Sequence, residues 1–291
     1  MKKVVCVCVL AGLTLSLALA AAPATGPIND DAIYRQMQAA AEKLQADKST
    51  LRQAELIKQL TRKTCRVALP PAPVRTITPA NFYDQLKPSV LVVGSLYKCP
   101  KCAKWHLTSA GAWVLAADGV CVTNYHVVDE PKNELLVAMT ADGKVAAVKE
   151  VLAASKADDV AIVRIDATGL TPLALAPRAA VGSHVRLISH PDLRFYAMSE
   201  GIISRYFLTR GRRRGDPAAP AMSITADFAK GSSGSPVLDD QGRVVGMVAA
   251  TESIYYDDRK GHQENLQMVI KQCVPAESIL KLVETPAQAG K

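Results

Sequence analysis

The chain has 291 residues, 49% of them apolar and 21% charged, so it can bury a full core and is not an intrinsically disordered chain. Its net charge is +8, but Lys and Arg are interspersed with Asp and Glu rather than gathered on one stretch, and no nucleic-acid partner is expected.

Met1-Lys2-Lys3 supplies a positive start, Val4 to Ala20 is apolar, and Ala18-Leu19-Ala20 is a small-x-small cleavage pattern. Residues 1–20 therefore read as a secretory signal. The rival reading is an uncleaved anchor, since roughly 17 apolar residues is near the lower limit for a spanning helix. With the signal removed, the mature chain is expected in the periplasm or outside the cell, without stable membrane insertion. Two of the 7 cysteines, Cys6 and Cys8, leave with it, and Cys65, Cys99, Cys102, Cys121 and Cys273 remain. That odd number requires at least one thiol that is free, metal-bound or paired between chains.

Residues 21–77 read as a helical segment followed by a Pro-rich linker. Asn29 or Asp30 can cap a helix carrying Ile33, Met37, Ala40 or Ala41 and Leu44 on one face, with Leu51, Ile57 and Leu60 continuing it. Packing against the main domain is expected, with self-association into a homo-oligomer or binding of a partner as the alternative. Leu69-Pro70-Pro71-Ala72-Pro73 is stiff, because each Pro fixes its own backbone angle and disfavours helix in the residue before it. The main domain is placed at 78–285, with a tail at 286–291.

Thr78-Pro79 opens a short helix that ends at Lys87-Pro88. Short β-branched or alternating runs then follow: Ser89 to Tyr97, Ala110 to Ala116, Val120 to Asn124, Glu134 to Thr140, Val145 to Leu152 and Asp159 to Ile165. Six more lie at His184 to Ser189, Met198 to Phe207, Met222 to Thr225, Pro236 to Leu238, Val244 to Ala250 and Leu266 to Val274. Asp118-Gly119, Asp142-Gly143 and Gln241-Gly242 mark turns between strands. So many strands without helices between them argue for an all-β domain of closed antiparallel barrels. A helix over Pro275 to Glu284 is expected to end the domain.

Three segments carry chemistry. Gly231-Ser232-Ser233-Gly234-Ser235-Pro236 places a Ser in a Gly-flanked turn where backbone N–H groups can face one space, as the oxyanion of a tetrahedral intermediate requires. Gly231 and Ser233 are the natural donors. Thr123-Asn124-Tyr125-His126-Val127-Val128 puts a His at the end of an apolar strand, and Ala157-Asp158-Asp159-Val160 puts an acid just before another. Each is ordinary alone. Together, at strand edges of one all-β region, they suit a Ser233 nucleophile, a His126 general base and an Asp159 that orients the base.

These residues resemble the trypsin-like peptidases, and in particular the protease domain of the bacterial high-temperature-requirement (Do-like) branch. The likeness runs from about Asn81 to Leu282 and includes Leu86-Lys87-Pro88-Ser89-Val90, Asp118-Gly119-Val120-Cys121-Val122-Thr123-Asn124, Ile188-Ser189-His190-Pro191, Ser199-Glu200-Gly201-Ile202-Ile203-Ser204 and Val274-Pro275-Ala276. It implies two perpendicular six-stranded, chymotrypsin-like barrels with the active site between them, and it carries His126, Asp159 and Ser233 onto the triad positions. Ser232 stands where the family usually has Asn or Asp, and Ser235 where Gly is frequent. No PDZ module follows the protease region, which favours a stand-alone protease.

Asp227, six residues before Ser233, matches the separation at which trypsin-like enzymes place the acid of the primary specificity pocket, which would select Arg or Lys. The Do-like branch carries an Asp slightly farther from its nucleophile in a structural role, and a contracted loop would bring that Asp to the same position. Cys99-Pro100-Lys101-Cys102 with His106 invites a zinc reading, but no fourth ligand is evident. In an exported chain a Cys99–Cys102 disulfide is the expected outcome, with metal or free thiols as alternatives. Cys121 reads as a buried small hydrophobe, His190 as a turn residue, and Thr209 to Asp216 as a solvated basic loop. The expected function is an exported serine endopeptidase with protein or peptide substrates and no cofactor. The alternative is a catalytically silent scaffold acting through its N-terminal helix.

Overall fold

The computed structural model describes residues 26–47, 50–209, 218–259 and 261–284. The signal at 1–20, the tail at 286–291 and residues 210–217 of the basic loop lie outside the described residues.

Twelve of the strands form two closed antiparallel barrels, an arrangement in which every strand has both edges paired. The first barrel comprises β2 (Val90–Lys98), β3 (Trp105–Ala116), β4 (Val120–Thr123), β5 (Leu135–Met139), β6 (Val145–Ser155) and β7 (Val160–Ile165), ordered β2-β3-β4-β7-β6-β5. The second comprises β8 (His184–Ser189), β9 (Ala197–Leu208), β10 (Pro220–Ile224), β11 (Pro236–Leu238), β12 (Val244–Arg259) and β13 (His262–Pro275), ordered β10-β13-β12-β11-β8-β9. All twelve expected strands exist. β12 and β13 run well past their expected ends, pairing across two register shifts as far as Arg259 and His262.

The N-terminal helices are part of this packing. In α1 (Asp30–Ala46) the Asn29 side chain accepts the Ala32 N–H, capping the helix as expected. The apolar stripe of α1 buries Met37 and Ala41 in one cluster with Val90, Val92 and Leu96 of β2. In α2 (Gln53–Gln59) and just beyond it, Leu56 and Leu60 join the other set of β2 residues, Leu91 and Val93. That strand is buried on both faces because a different cluster receives each of its period-2 sets.

The Pro-rich segment lies against the second barrel, where Ile77 N–H donates to Asp240 O at 2.8 Å. Then α3 (Pro79–Leu86) forms where Thr78-Pro79 indicated, although the Thr78 side chain makes no capping bond. At the other end α5 (Ala276–Leu280) is shorter than the helix expected over Pro275 to Glu284. Val283–Glu284 instead forms β14, parallel to β1 (Cys65–Arg66). This contact between distant segments leaves no local signal in the sequence.

Candidate active site

His126 lies on α4 (Tyr125–Val128), a single helical turn that follows β4 directly. The turn is fixed from below by Gln53, whose buried side-chain amide donates to Val128 O at 3.0 Å. Asn124, also buried, donates to Asp159 O at 3.0 Å and so joins the two loops that carry the His and the acid.

Asp159 immediately precedes β7 and has φ +59°, a left-handed conformation that Asp tolerates better than most residues. Its neighbour Asp158 anchors the bend, accepting bonds from Ser155 Oγ at 2.7 Å and from Ser278 Oγ of α5 at 2.8 Å. The Asp159 carboxylate meets His126 Nδ1 with both oxygens, at 3.0 and 2.9 Å, and also accepts the His126 backbone N–H at 3.1 Å. An acceptor on Nδ1 places the imidazole proton there and leaves Nε2 as the basic nitrogen.

The Ser233 turn is pressed against β3. Gly111 N–H donates to Ser233 O at 2.6 Å, and Gly111 O accepts from Thr123 Oγ1 at 2.8 Å. A Cβ on Gly234 would come within 2.0 Å of Gly111 O, and Gly234 has φ +87°, so glycine is required there on both counts. Gly231 has φ +89° and a Cβ there would meet His190 O at 2.6 Å. Neither Gly231 N nor Ser233 N donates to any backbone acceptor among the described residues, while Gly234 N–H is tied to Val248 O. The two N–H groups expected as oxyanion donors thus have no backbone partner.

Ser233 Oγ donates to Ala249 O at 3.3 Å, and among the described residues no hydrogen bond joins it to His126. Ala249 lines the same cleft as His126 and Asp159, a groove walled by Ala154 and Asp158 of the first barrel and by Ala221 and Cys273 of the second. His126 and Asp159 therefore line one inter-barrel cleft in direct contact, and Ser233 is tied to the wall of that cleft through Ala249.

Two expectations are corrected. Asp227 is not a buried pocket acid. Its side chain is 90% exposed and pairs with Lys271 Nζ at 3.2 Å, while that ammonium also donates to Phe228 O at 2.6 Å. A carboxylate in water with its own cation has no call on a substrate Arg or Lys. The Cys99–Cys102 disulfide is not formed: both are free thiols, and so are Cys65, Cys121 and Cys273. Partial burial raises the Cys65 thiol to about 11, and full burial pushes Cys121 and Cys273 up as well, as befits core thiols for the latter two. Cys99 differs. Backbone N–H groups of Cys102 and Lys101, followed by the Cys102 side chain, draw its thiol below the ordinary value.

The sequence reading also missed what His190 does. It ends β8 beside a 3-10 turn, but it is fully buried, with Nε2 bonded to Leu91 O at 3.1 Å and Nδ1 accepting Tyr196 N–H at 3.0 Å. It thereby links the second barrel to β2 of the first, next to Gly231. Burial lowers its pKa to about 4, so the ring is neutral. The dipeptide His190-Pro191 signalled the turn; nothing local signalled an acceptor from the other barrel.

Two antiparallel six-stranded barrels with a His–Asp pair and a Ser-bearing turn on the cleft between them define the chymotrypsin-like fold. Residues 110–247 match the model of the trypsin-like peptidase domain. It is 30% identical over 148 residues to anti-sigma-I factor RsgI9 of Acetivibrio thermocellus, covering 49% of this chain and 19% of that protein. It is 29% identical over 177 residues to serine protease HTRA1B of Danio rerio, covering 58% of this chain and 36% of that one. The chain therefore spans between about a fifth and about a third of the length of these curated relatives. Among solved structures it is similar to the active form of the Rv3671c protease of M. tuberculosis, with TM-score 0.55 and 24% identity over 74% of this chain and 90% of that one. It is also similar to an HtrA-type protease, AlgW, with a decapeptide, with TM-score 0.53 and 17% identity over 70% of this chain and 65% of that one.

Proposed function

We propose that this protein is a serine endopeptidase that acts on proteins outside the cytoplasm through Ser233, His126 and Asp159. The observation that carries the reading is the two-oxygen contact of Asp159 with His126 Nδ1, made in the cleft that also holds Ala249, the acceptor of the Ser233 hydroxyl. A serine hydroxyl is a weak nucleophile until a neutral imidazole takes its proton. Asp159 fixes the tautomer that frees Nε2 for this and stabilises the imidazolium once formed. Ser233 Oγ leaves Ala249 O, gives its proton to His126 and bonds to the scissile carbonyl carbon. The resulting oxyanion is held by Gly231 and Ser233 N–H, each contributing about 3 to 4 kcal/mol to lowering the barrier. His126 returns the proton to the leaving amine, and water then cleaves the acyl-enzyme by the same path. The export reading rests on the sequence of residues 1–20.

A silent scaffold acting through α1 is less well supported, because that helix spends Met37 and Ala41 on the barrel core. Turnover of casein by wild type and Ser233→Ala tests the proposal. Loss of hydrolysis with an unchanged unfolding transition is expected; wild-type turnover by the variant would contradict it.

A further inference from the structure

Cys99, Cys102 and His106 lie at the β2–β3 hairpin, and their ligand atoms are all within 4.8 Å of one another. Cys102 Sγ is 3.1 Å from His106 Nε2. Around one tetrahedral zinc, with Zn–S near 2.3 Å and Zn–N near 2.0 Å, such atoms would stand roughly 3.5 to 3.8 Å apart. The cluster is therefore already close to the spacing a single ion requires. We propose that this protein binds one zinc ion through Cys99 Sγ, Cys102 Sγ and His106 Nε2, with water in the fourth position.

The backbone prepares the site. Cys99 N–H donates to Lys104 O at 2.9 Å and Ala103 N–H to Cys99 O at 2.9 Å, closing a tight knuckle in which Ala103 takes φ +55°. The imidazole and the strand that bears it are both held in place. The ring stacks on Tyr97 at 5.8 Å between centroids. On either side of it α1 clamps the strand: Gln38 Nε2 donates to Trp105 O at 3.0 Å, and Tyr34 OH accepts Leu107 N–H at 3.2 Å. Two thiolates and an imidazole select zinc over the hard, oxygen-seeking Mg²⁺ and Ca²⁺. Among the described residues Cys65, Cys121 and Cys273 build no cluster of this kind; Cys65 is half-buried, and Cys121 and Cys273 are buried in the core.

The site stands apart from the cleft but not from the chain that shapes it. Shortly after His106, β3 presents Ser109, whose Oγ lies 3.2 Å from where a Gly231 Cβ would stand, and Gly111, which bonds to Ser233 O. An ion at the start of β3 would pin the strand on which the nucleophile turn rests.

The test uses the full chain, purified under reducing conditions, stripped with a chelator and titrated with Co²⁺, followed by displacement with Zn²⁺. The expected result is one ion per chain, with thiolate-to-cobalt charge-transfer absorption and the d–d bands of tetrahedral cobalt. His106→Gln should weaken zinc binding by at least about 100-fold, since even an outer-sphere partner is worth roughly 10- to 100-fold. Cys102→Ser should lose part of the charge-transfer band, and Cys65→Ser should change nothing. Cys102 is exposed on the hairpin, so its replacement leaves the fold intact. Absence of the charge-transfer band, zinc affinity unchanged in His106→Gln, or a stoichiometric Cys99–Cys102 disulfide in protein isolated from the producing cells would each overturn the assignment.

Discussion

His190 is the residue whose environment has the sharpest consequence for stability. Its ring is dry, neutral and bonded at both nitrogens to backbone groups. In the unfolded chain an imidazole takes a proton near pH 6.5, whereas the folded one resists until about 4. Between these values the unfolded state binds more protons than the native state, so stability is fully present above about 6.5 and falls as the pH drops toward 4. The single group accounts for a loss on the order of 3 kcal/mol over that window. Denaturant titrations from pH 7 to pH 4 should show this slope in wild type and a shallower one in His190→Gln. Equal slopes would show that His190 does not carry the acid sensitivity. At this scale the sequence was legible where chemistry is local: His126 and Ser233 stand out by their flanking residues. Asp227 misled because a separation along the chain says nothing of burial, and Lys271, which holds it at the surface, is 44 residues away.

At the scale of elements, the turn that carries Ser233 is held by its contact with β3. Gly234 sits at φ +87° with Gly111 O where its Cβ would be, whereas Gly169 sits at φ +73° with nothing within 4 Å. Gly169→Ala should cost only the left-handed strain of about 1 to 2 kcal/mol. Gly234→Ala must add a backbone collision, because Gly111 is itself held by Ser233 O and Thr123 Oγ1. Unfolding measurements should therefore rank Gly234→Ala clearly below Gly169→Ala, and equal losses would remove the contact from the account. Buried strands were readable from their apolar, β-branched runs, and β8 and β11 have the limits those runs gave. The outer half of β12–β13 was not. Tyr256, Leu266 and Met268 are exposed there, so pairing rather than burial holds the hairpin and no inside–outside pattern marks its length.

Across the whole molecule, the N-terminal segment works as a brace rather than a detached arm. Asp30 accepts the Phe195 N–H of the second barrel, α1 packs on the first, and Gln53 holds the turn that bears His126. Composition suggested a boundary near residue 70, but the residues before it share a core with the barrel strands. Among the described residues no helix is long and apolar enough to cross a membrane. The central claim is that this assembly activates one serine, and labelling with a fluorophosphonate probe followed by peptide mapping tests it most directly. Covalent modification of Ser233 alone is expected, greatly slowed in His126→Ala and absent in Ser233→Ala. Failure of the folded wild-type protein to react, or labelling that persists in Ser233→Ala, would contradict it.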